Sequence, residues 1–406
     1  RKLLVLLCIL LLTVSVSADQ SKHNGYCDIN KDICENEDNT LTMDWDGKQL
    51  LFYEVNPPEG FNLRRDVYMR FAIMLAEARK RVEYSNWHLV LPPWYALYHW
   101  KTESYNDPPK PWSVFFDVRS LNSYVPVLEL YQILQNSGRY GLILDTLYIL
   151  QNFDDPFEDE DFRDKWNILG RCQYKDHFWG YHNITAKRVI CVQFQGSITQ
   201  LWELVRPDDR KVMFAHAEIP LHSSYGTKSY WNCRKSMQFK SELLDAADSY
   251  IVTKLKCNKI ICDNYLSIHW RRQDFYRANR STSIKGTAQQ IDRAIKNKSL
   301  GVQDVFIASD GTNKELKLLE AELKMLGYTA HFYLPDVSKY TDGQIAIIEQ
   351  VICSHSVYFI GTHESTFTYR IQEEREILGF DSDTTFNRFC PDTGECEKPS
   401  RWTIVQ

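Results

Sequence analysis

Tyr265-Leu-Ser-Ile-His269, Asp304-Val-Phe-Ile-Ala308 and Ser356-Val-Tyr-Phe-Ile360 decide the fold. Each is a short apolar run, the pattern of a strand buried on both faces. Helical stretches separate them: Gly286–Lys296, a helix capped by Asn313 and reaching about Leu326, and Gly343–Cys353. A short strand at Thr329–Tyr333 and a final helix at Thr366–Leu378 complete the series. Such alternation predicts an α/β fold, a parallel sheet with helices on both faces. Ligands of these sheets bind outside the C-terminal strand ends. The loops after His269, Ala308 and Ile360 are therefore the places to search.

The same grammar appears near the start. Gln49–Val55 reads as a strand and Asn56–Phe61 as a turn. Asn62 is the expected N-cap of a helix with apolar positions Leu63, Val67, Phe71, Met74, Leu75 and Ala78. Trp87–Leu91 is the next strand, stopped by Pro92-Pro93. The middle is less regular: Pro and aromatic residues crowd 92–116, and Asp154–Asp161 is an acidic loop. Two Rossmann-like domains facing a cleft are predicted, at 47–235 and 236–406, behind an acidic leader at 19–46 and a signal peptide at 1–18.

Composition bounds the function. Of 406 residues, 44% are hydrophobic and 25% charged, which fits a globular chain. A net charge of −5 argues against a nucleic-acid binder, which would carry a basic footprint. Arg1-Lys2, the apolar stretch Leu3–Val16 and the small residues up to Ala18 form a secretory signal. The stretch is short of the ~20 residues of a membrane anchor, and no membrane span is expected after its removal. Disulfides persist in that compartment. Spacing suggests Cys27–Cys34, Cys172–Cys191, Cys257–Cys262 and Cys390–Cys396, with Cys353 a buried free thiol and Cys233 its odd companion. Asn183, Asn279 and Asn297 begin glycosylation sequons.

Several motifs of cofactor and hydrolase chemistry are missing: Gly-x-Gly-x-x-Gly, the Walker loop, Gly-x-Ser-x-Gly and His-Glu-x-x-His. The Asp-x-Asp pairs at Asp44/Asp46, Asp159/Asp161 and Asp381/Asp383 follow no clear buried strand, so no metal is assigned to them. Three strand-end segments remain. Pro57-Pro58-Glu59-Gly60-Phe61-Asn62 offers a carboxylate, although position alone favours a surface or helix-start Glu. His269-Trp270-Arg271-Arg272-Gln273-Asp274-Phe275 offers two Arg, one for the cleft and one to pair with Asp274. A surface ion pair is equally compatible. Arg suits phosphate because its planar fork makes bidentate, charge-assisted bonds. Gly361–Phe367 places Ser365 and Thr366 at a helix start, which is either an ordinary cap or an anion site.

These segments, in this order, resemble the protein O-fucosyltransferase 2 family, enzymes acting on thrombospondin type 1 repeats. Val55–Val67 is similar nearly throughout, as are Leu91–Trp94 with Leu97–Trp100, His269–Phe275, Phe359–Thr362 with Ser365–Phe367, Glu373–Gly379 and Asn387–Cys390. The arginine motif alone would indicate only the wider fucosyltransferase superfamily. The Pro-Pro-Glu-Gly-Phe-Asn string is far more specific.

The resemblance implies a GT-B fold and metal-independent, inverting transfer of fucose from GDP-β-L-fucose to Ser or Thr of a folded repeat. It implies the endoplasmic reticulum lumen, a monomer, and no cofactor beyond the donor substrate. Glu59 would be the general base and Arg271 would hold the β-phosphate. Pro58, Gly60, Phe61, Asn62, His269, Trp270, Ser365, Thr366 and Phe367 would form the donor site, with Glu374 on the acceptor side. Glu349 stands where the family has an Asp on the nucleotide. The rival reading is a non-catalytic lectin or folding sensor for disulfide-rich domains, resting on aromatic segments such as Phe178-Trp-Gly-Tyr181.

Overall fold

The computed structural model describes residues 47–97, 99–100, 107–137, 141–154, 163–172, 177–259, 261–277, 281–334 and 339–404. The signal peptide, the acidic leader with Cys27–Cys34, Asn279, and the Asp44/Asp46 and Asp159/Asp161 pairs lie outside them.

The first half contains β1 (Gln49–Glu54), α1 (Phe61–Ala78), β2 (Trp87–Leu91), α2 (Val118–Tyr124), β3 (Val127–Glu129) and α3 (Leu130–Asn136). It continues with β4 (Leu142–Gln151), β5 (Lys165–Leu169), β6 (Ile184–Gln195), β7 (Lys211–Ala215) and α4 (Lys228–Ser236). The second half contains α5 (Ser241–Thr253), β8 (Tyr265–Trp270), α6 (Gln273–Arg277), α7 (Ile284–Asn297), β9 (Asp304–Ser309) and α8 (Asn313–Met325). Then follow β10 (Thr329–His331), α9 (Asp342–Ser354), β11 (Tyr358–Ile360), α10 (Thr366–Ile377) and α11 (Ser382–Thr385).

Two sheets result. The seven-stranded sheet runs β3-β2-β1-β7-β4-β6-β5, parallel except for β5 against β6. The four-stranded sheet runs β10-β9-β8-β11, all parallel. Each has a point where strand order reverses beside its first strand: β1/β7 in one, β8/β11 in the other. One apolar core runs through both halves, with Phe71 and Phe214 from the first and Phe306, Ile348 and Phe359 from the second. The outer face of each sheet has its own core. Alternation along β8 sends Leu266, Ile268 and Trp270 into the outer core, and Ser267 and His269 to the opposite face.

The sequence reading needs correction in four places. Gly60, not Asn62, is the N-cap of α1, so Asn62 lies inside the first turn. Thr312, not Asn313, caps α8, through a reciprocal box with Glu315. The one-turn α11 follows the helix expected to be last. Finally, the irregular middle holds five strands, β3 to β7. Charges hid the longest of them. Lys187 of β6 pairs with Asp145 of β4 at 2.7 Å, and Arg188 of β6 pairs with buried Asp209. The first pair is cross-strand and the second joins β6 to the loop before β7, and both put charge where an apolar alternation would be sought.

Cys172–Cys191, Cys257–Cys262 and Cys390–Cys396 are disulfides, while Cys233 and Cys353 are free and buried. Asn183 and Asn297 are exposed. Among the described residues, no helix is long and apolar enough to cross a membrane.

Candidate functional site

In the first half the site grows from the loop after β1. Arg64 is buried and folds back on that loop, donating from Nε to the Glu59 carbonyl and from Nη2 to the Pro57 carbonyl, both at 3.0 Å. A third contact reaches the Tyr95 carbonyl at 3.4 Å. A cation in a helix's first turn opposes the helix dipole. Here latching three carbonyls offsets that, and the latch fixes where Glu59 stands. Burial pulls the Arg64 guanidinium down to about 10.

Glu59 is half-buried, and its carboxyl is raised above the ordinary range, first by burial and then by the negative charge of Glu218. Arg64 and Arg70 oppose the rise without cancelling it. Glu218 follows β7, across the strand-order reversal from β1, and its Oε2 accepts from the Asn56 N–H at 3.1 Å. Glu54 ends β1, and burial pushes it to about 7. His216 sits between Glu54 and Glu218 in a left-handed backbone conformation, φ +58°. Such strain costs roughly 1–3 kcal/mol and gathers at functional sites. Ala96 and Glu364, in two other loops near the site, share it at +51° and +57°.

The second half of the site lies at the β8/β11 reversal. The Arg271 N–H donates to Thr362 Oγ1, which donates to the His269 carbonyl, both at 2.9 Å. One hydroxyl thus joins the two strand ends. The Arg271 side chain turns toward the first half, with Asp274 at 3.0 Å and Asp310 at 3.2 Å. Here the expected division of labour is corrected. Arg271 itself pairs with Asp274. Arg272 turns away, to Glu315, Ser281 and the Thr282 carbonyl.

His269 is buried, stacked on Phe367 at 4.3 Å and bonded to Thr368. Burial, then the Arg271 charge, holds its imidazole well below the ordinary range, so the ring is neutral. Ser365 is the N-cap of α10 but makes no side-chain cap bond. Trp270 is corrected as well. Its ring is buried on the opposite face of β8, under the Arg272 guanidinium at 4.5 Å, so only its main chain faces His269's side. Glu349 of α9 keeps some surface yet is closely surrounded, and burial with Asp310 nearby pushes it to about 8.

Other expected residues have structural partners. The Phe61 ring packs on Trp94 at 4.6 Å and Trp100 at 5.8 Å, which leaves its backbone as its polar contribution. Asn62 Oδ1 accepts from Arg65 at 3.1 Å and from Gln350 of α9 at 2.8 Å, which ties the halves together. Pro58 is exposed. Glu374 is bound by Arg234 at 2.8 Å, in a network where Arg234 and Arg370 flank buried Glu373. Arg370 also reaches Asp66 of α1 at 3.3 Å. Burial alone would raise Asp66, but His222, Arg370 and Arg70 hold it below the carboxylate range.

The two loops meet through a residue that sequence reasoning did not select. The His99 ring lies against Gly60 on one side and Arg271 on the other. Carboxylate loop and guanidinium are thus one imidazole apart. Arg64, Glu218 and His216 were also missed. Among the described residues, no group of three His, Cys, Asp or Glu is placed to hold a metal ion.

Comparison with known proteins agrees with this architecture. A family model described as GDP-fucose protein O-fucosyltransferase matches residues 50–378. The Homo sapiens GDP-fucose protein O-fucosyltransferase 2 is 37% identical over 396 residues, covering 88% of this chain and 90% of that one. The Caenorhabditis elegans protein of that name shows the same identity and coverage. The Drosophila melanogaster one is 34% identical over 414 residues, covering 88% and 83%. The crystal structure of POFUT1 in complex with GDP-fucose superposes with a TM-score of 0.57 at 16% identity, over 84% of this chain and 97% of that one, a likeness of fold. Its fold is GT-B, and the chain belongs to the GDP-fucose protein O-fucosyltransferase family of glycosyltransferases.

Proposed function

We propose that the protein transfers fucose from GDP-β-L-fucose to a Ser or Thr hydroxyl of a folded thrombospondin type 1 repeat, with inversion and without a metal. The observation that carries this reading is that the loop carrying Glu59 meets Arg271 across His99, through Gly60, each segment lying at the strand-order reversal of its own sheet. An alcohol is a weak nucleophile and needs a positioned base. Glu59, raised by burial and by Glu218, takes its proton. GDP departs as an anion, so it needs neutralising charge rather than a proton. Arg271 supplies that charge from the opposite side, in place of a metal. One displacement, with base and leaving group on opposite faces of the sugar carbon, inverts its configuration.

The start of α10 at Ser365, Thr366 and Phe367 takes the diphosphate through its N–H groups. Neutral His269 lines that wall, and Glu349 contacts the guanosine. Three disulfides suit the endoplasmic reticulum lumen. The binding-protein alternative loses its main support, because Phe178 and Trp179 are buried.

The test is GDP release from GDP-fucose with a folded, disulfide-bonded repeat, run beside its reduced and alkylated form. Release is expected with the folded repeat alone, and unchanged by a chelator. No release with either form would remove the transferase reading, and strict dependence on Mn²⁺ would remove the metal-free mechanism.

A further inference from the structure

His99 belongs to no helix or strand, yet it is held from both halves. Its neighbour Trp100 packs on Phe61 and Phe115 of the first half, at 5.8 and 5.5 Å. On the second half's side, a Cβ added at Gly343 of α9 would lie 2.5 Å from Trp100. The segment is thus wedged where the halves meet, and Gly343 makes the room. The ring of His99 covers Gly60 so closely that a Cβ there would stand 3.1 Å from its Cδ2. Gly60 has an ordinary extended backbone, so its missing side chain serves this approach rather than a turn.

On its other side the ring meets Arg271. Nη2 lies 3.3 Å from Nδ1 and 3.4 Å from Nε2. Near-equal distances to both ring nitrogens describe a guanidinium lying across the ring, not a bond directed at one lone pair. Asp274 accepts from Nε at 3.1 Å and also lies 3.0 Å from Nη2, and Asp310 lies at Nη1. The arginine is therefore already aimed, and its approach from the first half runs past the imidazole. Two electropositive features then converge on one ring: Arg271, and the N-terminus of the 18-residue α1, whose N-cap Gly60 offers no side-chain oxygen to its first N–H groups. An anion among the three would meet donors from all of them.

We infer that His99 is a donor-binding residue, a diphosphate contact that the first half supplies opposite Arg271. This rests on the reading that places the GDP diphosphate at Arg271. An oxygen of the distal phosphate, held by Arg271, lies within reach of an imidazole N–H. The contact spans the two halves, so both hold the leaving group.

The experiment is calorimetric titration of GDP and of GMP into wild-type protein and into His99→Ala, His99→Phe and Arg271→Ala, with Tm recorded for each. GMP lacks the distal phosphate. His99→Ala should weaken GDP about tenfold and leave GMP unchanged. His99→Phe keeps a ring but no N–H, and should lose as much. Wild-type or tighter GDP binding by His99→Phe would overturn the inference, as would equal weakening of GDP and GMP, the mark of a packing defect. If Arg271→Ala loses GDP selectively while both His99 variants do not, this inference alone fails. If no variant changes GDP binding, the placement of the diphosphate fails with it.

Discussion

The two halves share a design and carry opposite equipment. In each, strand order reverses beside the first strand, and the site occupies that reversal. The second half places there a guanidinium, a hydroxyl bridge and a helix start. The first half places Glu54, Glu59 and Glu218, with Glu54 and Glu59 both raised above the ordinary carboxylate range by burial. The difference explains why two sheets serve one reaction. A Glu paired directly with an Arg has its affinity for protons depressed and makes a poor base. In the proposed reaction, holding Glu59 and Arg271 on separate sheets keeps each from neutralising the other.

That contrast can be broken at several points. Glu59→Gln should lower turnover by about 10²–10⁴-fold, the worth of a positioned base; steady-state transfer assays would expose a base elsewhere if turnover stayed normal. Arg271→Ala should weaken GDP binding about tenfold to a hundredfold, since a charge-assisted hydrogen bond contributes roughly 1.5–3 kcal/mol. An unchanged titration would move the diphosphate off the second half. Arg64→Gln should cost about tenfold in kcat with little change in donor affinity, because the loop keeps its place in sequence but loses its latch. A loss confined to KM would contradict that.

The smallest effect is in pH. As the proposed base, Glu59 acts only when ionised, so activity should fall as pH drops through its raised value. Glu218→Gln removes a like charge that contributes to the rise, so the acidic limb of kcat/KM should move to lower pH. A limb that stays put or moves upward would show that Glu218 is not part of the field.

The second half was legible in the sequence for a physical reason. Strands such as β8 and β9 are buried on both faces and read as unbroken apolar runs. β4 and β6 were not, because the ion-paired Asp145, Lys187 and Arg188 interrupt that pattern. At the site, Glu59 and Arg271 were candidates because each lies in the segment following a strand, but the family resemblance rather than position gave them their roles. Arg64 acts through main-chain carbonyls, Glu218 through its charge, and His99 through contacts spanning 39 and 172 positions of sequence. Only Arg64 left a trace, a cation in a first helical turn, where the dipole disfavours one. The error at Arg271 was of a different kind. Two adjacent arginines do face opposite ways, but Asp274, three positions on, shares the cleft side with Arg271, and burial under Glu315 claims Arg272.

The separation of base from phosphate clamp is tested most directly by titrating GDP-fucose into Glu59→Gln. The account predicts wild-type affinity in a variant that no longer transfers fucose. A loss of affinity as large as its loss of turnover would contradict it, and would make Glu59 a donor-binding residue instead of the base.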